Sequence, residues 1–116
     1  MLRPVSDATD HTPAEVAELL AAGAVQLVDV REPYEHAAGA IDGALHHPVA
    51  QLTEASEQLD PARPVVFYCR VGARSAMAAQ AFRRAGWDAR NLSGGIKAWV
   101  AAGLPLDRPD AVVAAH

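Results

Sequence analysis

Apolar and polar positions change period several times along this chain, and each change marks an element. Thr12-Pro13-Ala14-Glu15 opens the first, with a threonine able to cap, a proline suited to the first helical position and a carboxylate placed to reach back. Val16, Leu19 and Leu20 follow at helical spacing, and Gly23 ends the run. The short β-branched stretch Val25-Gln26-Leu27-Val28-Asp29-Val30 predicts a buried strand. Arg31 to His36 predicts a short polar helix with Pro33 near its start. Gly39, Asp42 and Gly43 predict loop, and Pro48 a break before a short helix over 53–59.

Past Pro61 and Pro64, Val65-Val66-Phe67-Tyr68-Cys69 predicts a second buried strand. Ser75 is the expected cap of a helix over 76–85, whose Ala78, Ala81, Phe82 and Ala85 share one face. Gly86 ends it, and Trp87 to Leu92 predicts a third, short strand. Ser93-Gly94-Gly95 launches a last helix carrying Ile96, Trp99 and Val100, with Trp87 and Trp99 expected as core anchors. Prolines and alanines after Gly103 predict a loosely held tail over 105–116. Strands alternating with helices imply a parallel α/β sheet.

Composition narrows the class. A length of 116 residues fits one domain, taken here as 1–116 with a core over about 12–104. Alanine accounts for 26 residues and larger apolar or Cys side chains for 33, so packing must rely on closely set helices and a Val/Leu-rich sheet. The net charge of −4 is spread along the chain and argues against nucleic acid as a partner. The longest uncharged stretch, Gly43 to Thr53, has 11 residues. A membrane-crossing helix needs ~20, so no membrane partner is expected. Met1 to Asp7 contains no apolar run of the secretory type, and a cytoplasmic location is expected. The single cysteine excludes an internal disulfide and a Cys-based zinc site.

That cysteine stands where α/β sheets bind ligands, at the C-terminal end of a strand and before a helix. Cys69-Arg70-Val71-Gly72-Ala73-Arg74-Ser75 combines a thiol, two guanidiniums and a glycine. Gly72 lets the backbone curl so that successive N–H groups converge, and the following helix adds its positive end. Such a cradle favours a thiolate and hence a nucleophile. The alternative at this level is an inert buried cysteine.

Four segments, in order, carry a family resemblance: Leu27-Val28-Asp29-Val30-Arg31-Glu32-Pro33-Tyr34-Glu35, Gly39-Ala40-Ile41-Asp42-Gly43-Ala44, Cys69 to Ser75, and Leu92-Ser93-Gly94-Gly95-Ile96-Lys97-Ala98-Trp99. Together they resemble the rhodanese-like sulfurtransferase domains over roughly Thr12 to Leu104. The resemblance implies a central parallel five-stranded sheet with helices on both faces. It implies that Cys69 takes a sulfane sulfur from thiosulfate or a related donor, forms a persulfide, and passes the sulfur to cyanide, a small thiol or an acceptor protein. The amides of Arg70, Val71, Gly72, Ala73, Arg74 and Ser75 would hold the substrate, with Arg70 and Arg74 attracting a dianionic donor. Asp29 and Arg31 are supporting residues, bracing the loop or lying on the surface. No cofactor is implied. Ala40 and Asp42 replace the family's histidine and proline, and His46-His47-Pro48 replaces its usual Asn-Ile-Pro. The histidine pair lacks a third ligand at useful spacing, so no metal is expected.

Two other functions fit parts of the pattern. A cysteine phosphatase or arsenate reductase on a related scaffold places five residues between cysteine and arginine; only Arg70, Val71, Gly72 and Ala73 lie between Cys69 and Arg74 here. The smaller ring suits a sulfur atom better than a phosphate. A non-catalytic interaction module is the other, although such modules often lack the cysteine this chain keeps.

Overall fold

In the computed structural model, which describes residues 9–116, the apolar runs form the middle of a five-stranded, all-parallel sheet. The start at Met1 to Asp7, where no secretory segment is expected, lies outside the described residues. The elements in chain order are β1 (Asp10–His11), α1 (Pro13–Ala21), β2 (Gln26–Asp29), α2 (Pro33–Ala38), β3 (Leu45–His46), α3 (Leu52–Ala55), β4 (Val65–Tyr68), α4 (Ala73–Arg84), β5 (Ala89–Leu92) and α5 (Gly95–Ala101). Single 3-10 turns, Val49–Gln51 and Ser56–Gln58, flank α3. The strand order is β1-β5-β4-β2-β3, which places β4 at the centre.

The pleat divides the core in two. Val28, Val30, Val65, Phe67 and Cys69 face one side, where Leu52 and Ala55 of α3 and Ala78, Ala79 and Phe82 of α4 cover them. Leu27, Val66, Tyr68 and Leu92 face the other, under Val16 of α1 and Ile96 and Trp99 of α5. Helices thus cover both faces, the arrangement the resemblance implies and the one in which a parallel sheet buries its unbroken apolar strands. Thr12 and Glu15 form the expected capping box at α1.

The structure departs from the sequence reading at three places. The edge strands β1 and β3 were not expected, being two residues each and largely polar. Ser75 does not cap α4: Gly72 does, at φ +105°, and Ser75 lies buried within the first turn. Nor is the segment after Gly103 loosely held. Leu104, Leu106 and Val113 pack against the second core face, and Trp99 Nε1 donates to the Pro105 carbonyl at 2.8 Å. Further hydrogen bonds tie it to α2, as described below.

Candidate active site

Cys69 sits directly beyond β4, and the chain turns over it into α4. Gly72 N–H donates to Cys69 Sγ at 3.1 Å, and Ser75 N–H at 3.4 Å. Ser75 Oγ lies 3.4 Å from the same sulfur. This convergence requires Gly72 to adopt its left-handed conformation, which costs a residue with a Cβ roughly 1–2 kcal/mol. Cys69 is 1% exposed. Burial pushes the thiol up, but the Ser75 hydroxyl and the amides of Ser75, Gly72 and Arg74 together outweigh it and hold Cys69 below its ordinary value.

The start of α5 holds the outside of the turn. Ile96 N–H donates to the Cys69 carbonyl at 2.9 Å and Lys97 N–H to the Arg70 carbonyl at 3.1 Å. With these carbonyls pinned away from the sulfur, the amides that follow are left to face it. Gly95 makes the approach possible: a Cβ there would lie 2.5 Å from both carbonyl oxygens. The Gly94-Gly95 pair is therefore part of the cradle's construction, although it touches the sulfur nowhere.

Ser75 is more than an amide donor. Its hydroxyl lies 2.6 Å from Asn91 Oδ1, and Asn91 Nδ2 donates in turn to Asp10 Oδ1 at 3.0 Å. Asn91 thus orients the hydroxyl beside the sulfur from β5. Sequence reading missed this residue, because only strand pairing brings it to position 75.

The two arginines of the loop are placed differently. Arg74 turns back to Glu35 of α2, with Nη1 and Nη2 donating to the two carboxylate oxygens at 2.9 and 3.0 Å. Glu35 is fully buried and also accepts the Glu32 N–H at 2.9 Å. Burial pushes its carboxyl up, and Arg74 together with the Glu32 N–H more than reverses this, holding it below the usual carboxylate range. Arg74 therefore ties the loop to α2, a contact the sequence reading did not include. Arg70 forms no ion pair among the described residues, and its buried Nε has no partner. Val71 is exposed and Ala73 caps no group, so both contribute backbone.

Asp29 and Arg31 are fully buried, which excludes surface placement. Arg31 Nε and Nη2 donate to the two Asp29 oxygens at 2.9 and 2.7 Å, and Nη2 also reaches the Gly39 carbonyl at 2.8 Å. Asp29 accepts further hydrogen bonds from His36 Nδ1 at 2.8 Å and from the Tyr68 hydroxyl at 3.1 Å. Burial raises the Asp29 carboxyl, and Arg31 brings it below the ordinary value. The same burial, with the Asp29 charge, keeps Tyr68 protonated. The pair braces the turn after α2 and Tyr68, not the Cys69 loop itself. Its neighbour His46 stacks on His36 at 4.3 Å and donates from Nε2 to the Arg31 carbonyl, while burial pushes His47 down.

The chain's likeness to known proteins agrees with this geometry. The pattern of the rhodanese-like domain matches residues 12–102. An HTH-type transcriptional regulator of Mycobacterium tuberculosis is 42% identical over 99 residues, covering 83% of this chain and 43% of the regulator. The human thiosulfate:glutathione sulfurtransferase is 38% identical over 102 residues, covering 74% of this chain and 88% of the human protein. The chain spans between 43% and 60% of the length of the first two curated relatives it matches. A crystal structure of a rhodanese-related protein from Thermoplasma volcanium superimposes with a TM-score of 0.78 at 29% identity, covering 84% of this chain and 95% of that one.

Proposed function

Because the chain belongs to the rhodanese-like domain family, we propose that it is a sulfurtransferase that carries sulfane sulfur on Cys69. The observation that carries this reading is the convergence of backbone amides and a hydroxyl on one buried sulfur, with the pKa of the thiol held below its ordinary value. A thiolate in such a site is a nucleophile at neutral pH.

In the first half-reaction the Cys69 thiolate attacks the outer sulfur of thiosulfate. The S–S bond of the donor breaks, sulfite leaves with its electron pair, and a Cys69 persulfide remains. In the second, a nucleophilic acceptor attacks the outer sulfur. The Cys69–S bond breaks and the thiolate returns with its electron pair. Cyanide leaves as thiocyanate, and a thiol acceptor leaves as its own persulfide. Likeness to the human thiosulfate:glutathione enzyme supports thiosulfate as donor and a thiol, small or protein-borne, as acceptor.

Arg70 is the cation that meets the donor, since its charge is not taken up by a carboxylate. Arg74 acts instead through Glu35, and this also weighs against phosphatase chemistry, in which a loop arginine must be free to grip the oxyanion. No helix among the described residues is long and apolar enough to cross a membrane.

Mass spectrometry of the intact protein tests the reading. Thiosulfate should add one sulfur, about 32 Da, and dithiothreitol should remove it. Cys69→Ser should abolish both the adduct and thiosulfate:cyanide turnover. Turnover that survives in this variant would end the proposal.

A further inference from the structure

The segment after α5 lies beyond the stretch matched by the family, which ends at residue 102. It nevertheless runs back across α2 in a series of fixed contacts. Asp107 N–H donates to the Ala40 carbonyl at 2.8 Å, and Ala40 N–H to Asp107 Oδ1 at 3.3 Å. Val112 N–H donates to the Ala38 carbonyl at 3.0 Å. Arg108 Nη2 reaches the carbonyls of Ala37 and Ala38 at 2.8 and 3.0 Å. At the other end of the helix, the Tyr34 hydroxyl donates to the Ala115 carbonyl at 3.2 Å.

The contact is close as well as polar. A Cβ on Gly39 would lie 2.5 Å from the Val112 carbonyl oxygen and 2.9 Å from Ala111 Cβ. Gly39 has an extended backbone at φ 168°, which any residue adopts, so the approach of this segment is what its lack of a side chain serves.

α2 has six residues. A helix that short does not hold itself, and its last carbonyls need partners from elsewhere. The segment supplies them, and Glu35 on the same helix grips Arg74 in the Cys69 loop.

We propose that residues 105–115 form a positioning strap for the Cys69 cradle, acting through α2 and the Glu35–Arg74 pair. The proposal rests on the reading of Cys69 as the nucleophile. It makes Arg108, Val112 and Tyr34 positioning residues, since none of them touches the sulfur. Loosening the strap lets α2 shift, Arg74 follows Glu35, and the amides of the first α4 turn lose their aim at Sγ.

Two kinds of variant test this in the full chain. Arg108→Ala combined with Tyr34→Phe removes three hydrogen bonds from side chains that are 41% and 54% exposed, so folding should survive. Gly39→Ala drives a methyl between helix and strap. Iodoacetamide alkylation of Cys69 is followed against pH, beside the thermal midpoint. Both variants should alkylate roughly twofold more slowly on the acidic limb, for a rise of half a pKa unit in the inflection partly offset by the more basic thiolate. Adding Glu35→Gln to either should give no further loss, as expected for groups acting in series. Profiles that superimpose on wild type, with only the midpoint lowered, would overturn the strap. So would losses that multiply with Glu35→Gln. The position of the wild-type inflection tests the thiolate reading on its own. The strap is judged by the difference between variant and wild type, wherever that inflection falls.

Discussion

Removing the Ser75 hydroxyl should move the acidity of Cys69 by an amount and in a pattern that can be worked out beforehand. The hydroxyl has one proton and three acceptors in reach, Asn91 Oδ1 at 2.6 Å, the Gly72 carbonyl at 3.3 Å and Sγ at 3.4 Å. A hydrogen bond to a charged group contributes about 1.5–3 kcal/mol, and the long, shared geometry puts this one at the lower end. Ser75→Ala should therefore raise the thiol by about one pKa unit, while the amides of Gly72, Arg74 and Ser75 remain. A more basic thiolate is also a better nucleophile: with a Brønsted coefficient near ~0.45, one unit gives roughly threefold more intrinsic reactivity. On the acidic limb the thiolate fraction falls about tenfold, so alkylation slows about threefold there. At high pH it should run about threefold faster than wild type, and the two profiles should cross.

Stability carries the same signature. The folded thiol is held below its unfolded value, so its contribution is present above ~8.5 and is lost as pH falls through the folded value. Ser75→Ala should thus destabilise more at pH 9 than at pH 6, by at most about 1.4 kcal/mol, on top of a pH-independent cost for the Asn91 oxygen left unpaired. Urea unfolding at the two pH values measures the difference. An alkylation profile that drops in parallel at every pH, or does not move, would refute the reasoning about the cradle.

Two further outcomes follow from the same geometry. Arg70→Ala should lower kcat/KM for thiosulfate by roughly ten- to a hundredfold, the loss of one charge-assisted contact, and should affect the monoanion 3-mercaptopyruvate less; an unchanged steady-state value for thiosulfate would mean that the guanidinium is merely solvated. Gly95→Ala, at φ +65° and against two carbonyl oxygens, should cost more than ~2 kcal/mol and lower Tm by about 8 °C or more, with loss of fast alkylation in whatever fraction folds; a calorimetric midpoint equal to wild type would show that the loop yields at no cost.

The elements that could be read from the sequence are those whose pattern is forced locally. β4 is buried on both faces and is a continuous apolar run, and β2, equally buried, keeps Leu27 and Val28 between Gln26 and Asp29 within a β-branched stretch, so both were visible. α1 was visible because its cap, its Pro and its Glu lie within four residues of one another. Cys69 and its loop were legible for the same reason, with thiol, glycine and arginines contiguous in the chain. The edge strands were not. Asp10–His11 and Leu45–His46 each bond to a single neighbour and carry no apolar run, so they are strands only because β5 and β2 offer them backbone partners.

The roles of individual side chains were decided by tertiary structure. Ser75 has the chemistry of a cap, but the left-handed Gly72 takes that position and leaves the hydroxyl to the sulfur and to Asn91, 16 residues away. Arg74 has the chemistry of an anion ligand, but a buried carboxylate 39 residues earlier claims it. The segment after Gly103 has a composition that signals looseness, yet α2 presents unpaired carbonyls and a glycine surface that hold it. The sequence by itself determined the sheet core, the helix facing and the position of the nucleophile, because each depends on side chains close together in the chain. Only the fold decided which groups complete the site. A hydrogen bond or ion pair needs its partner within about 3 Å, and that proximity comes from strand pairing and helix packing, not from sequence spacing.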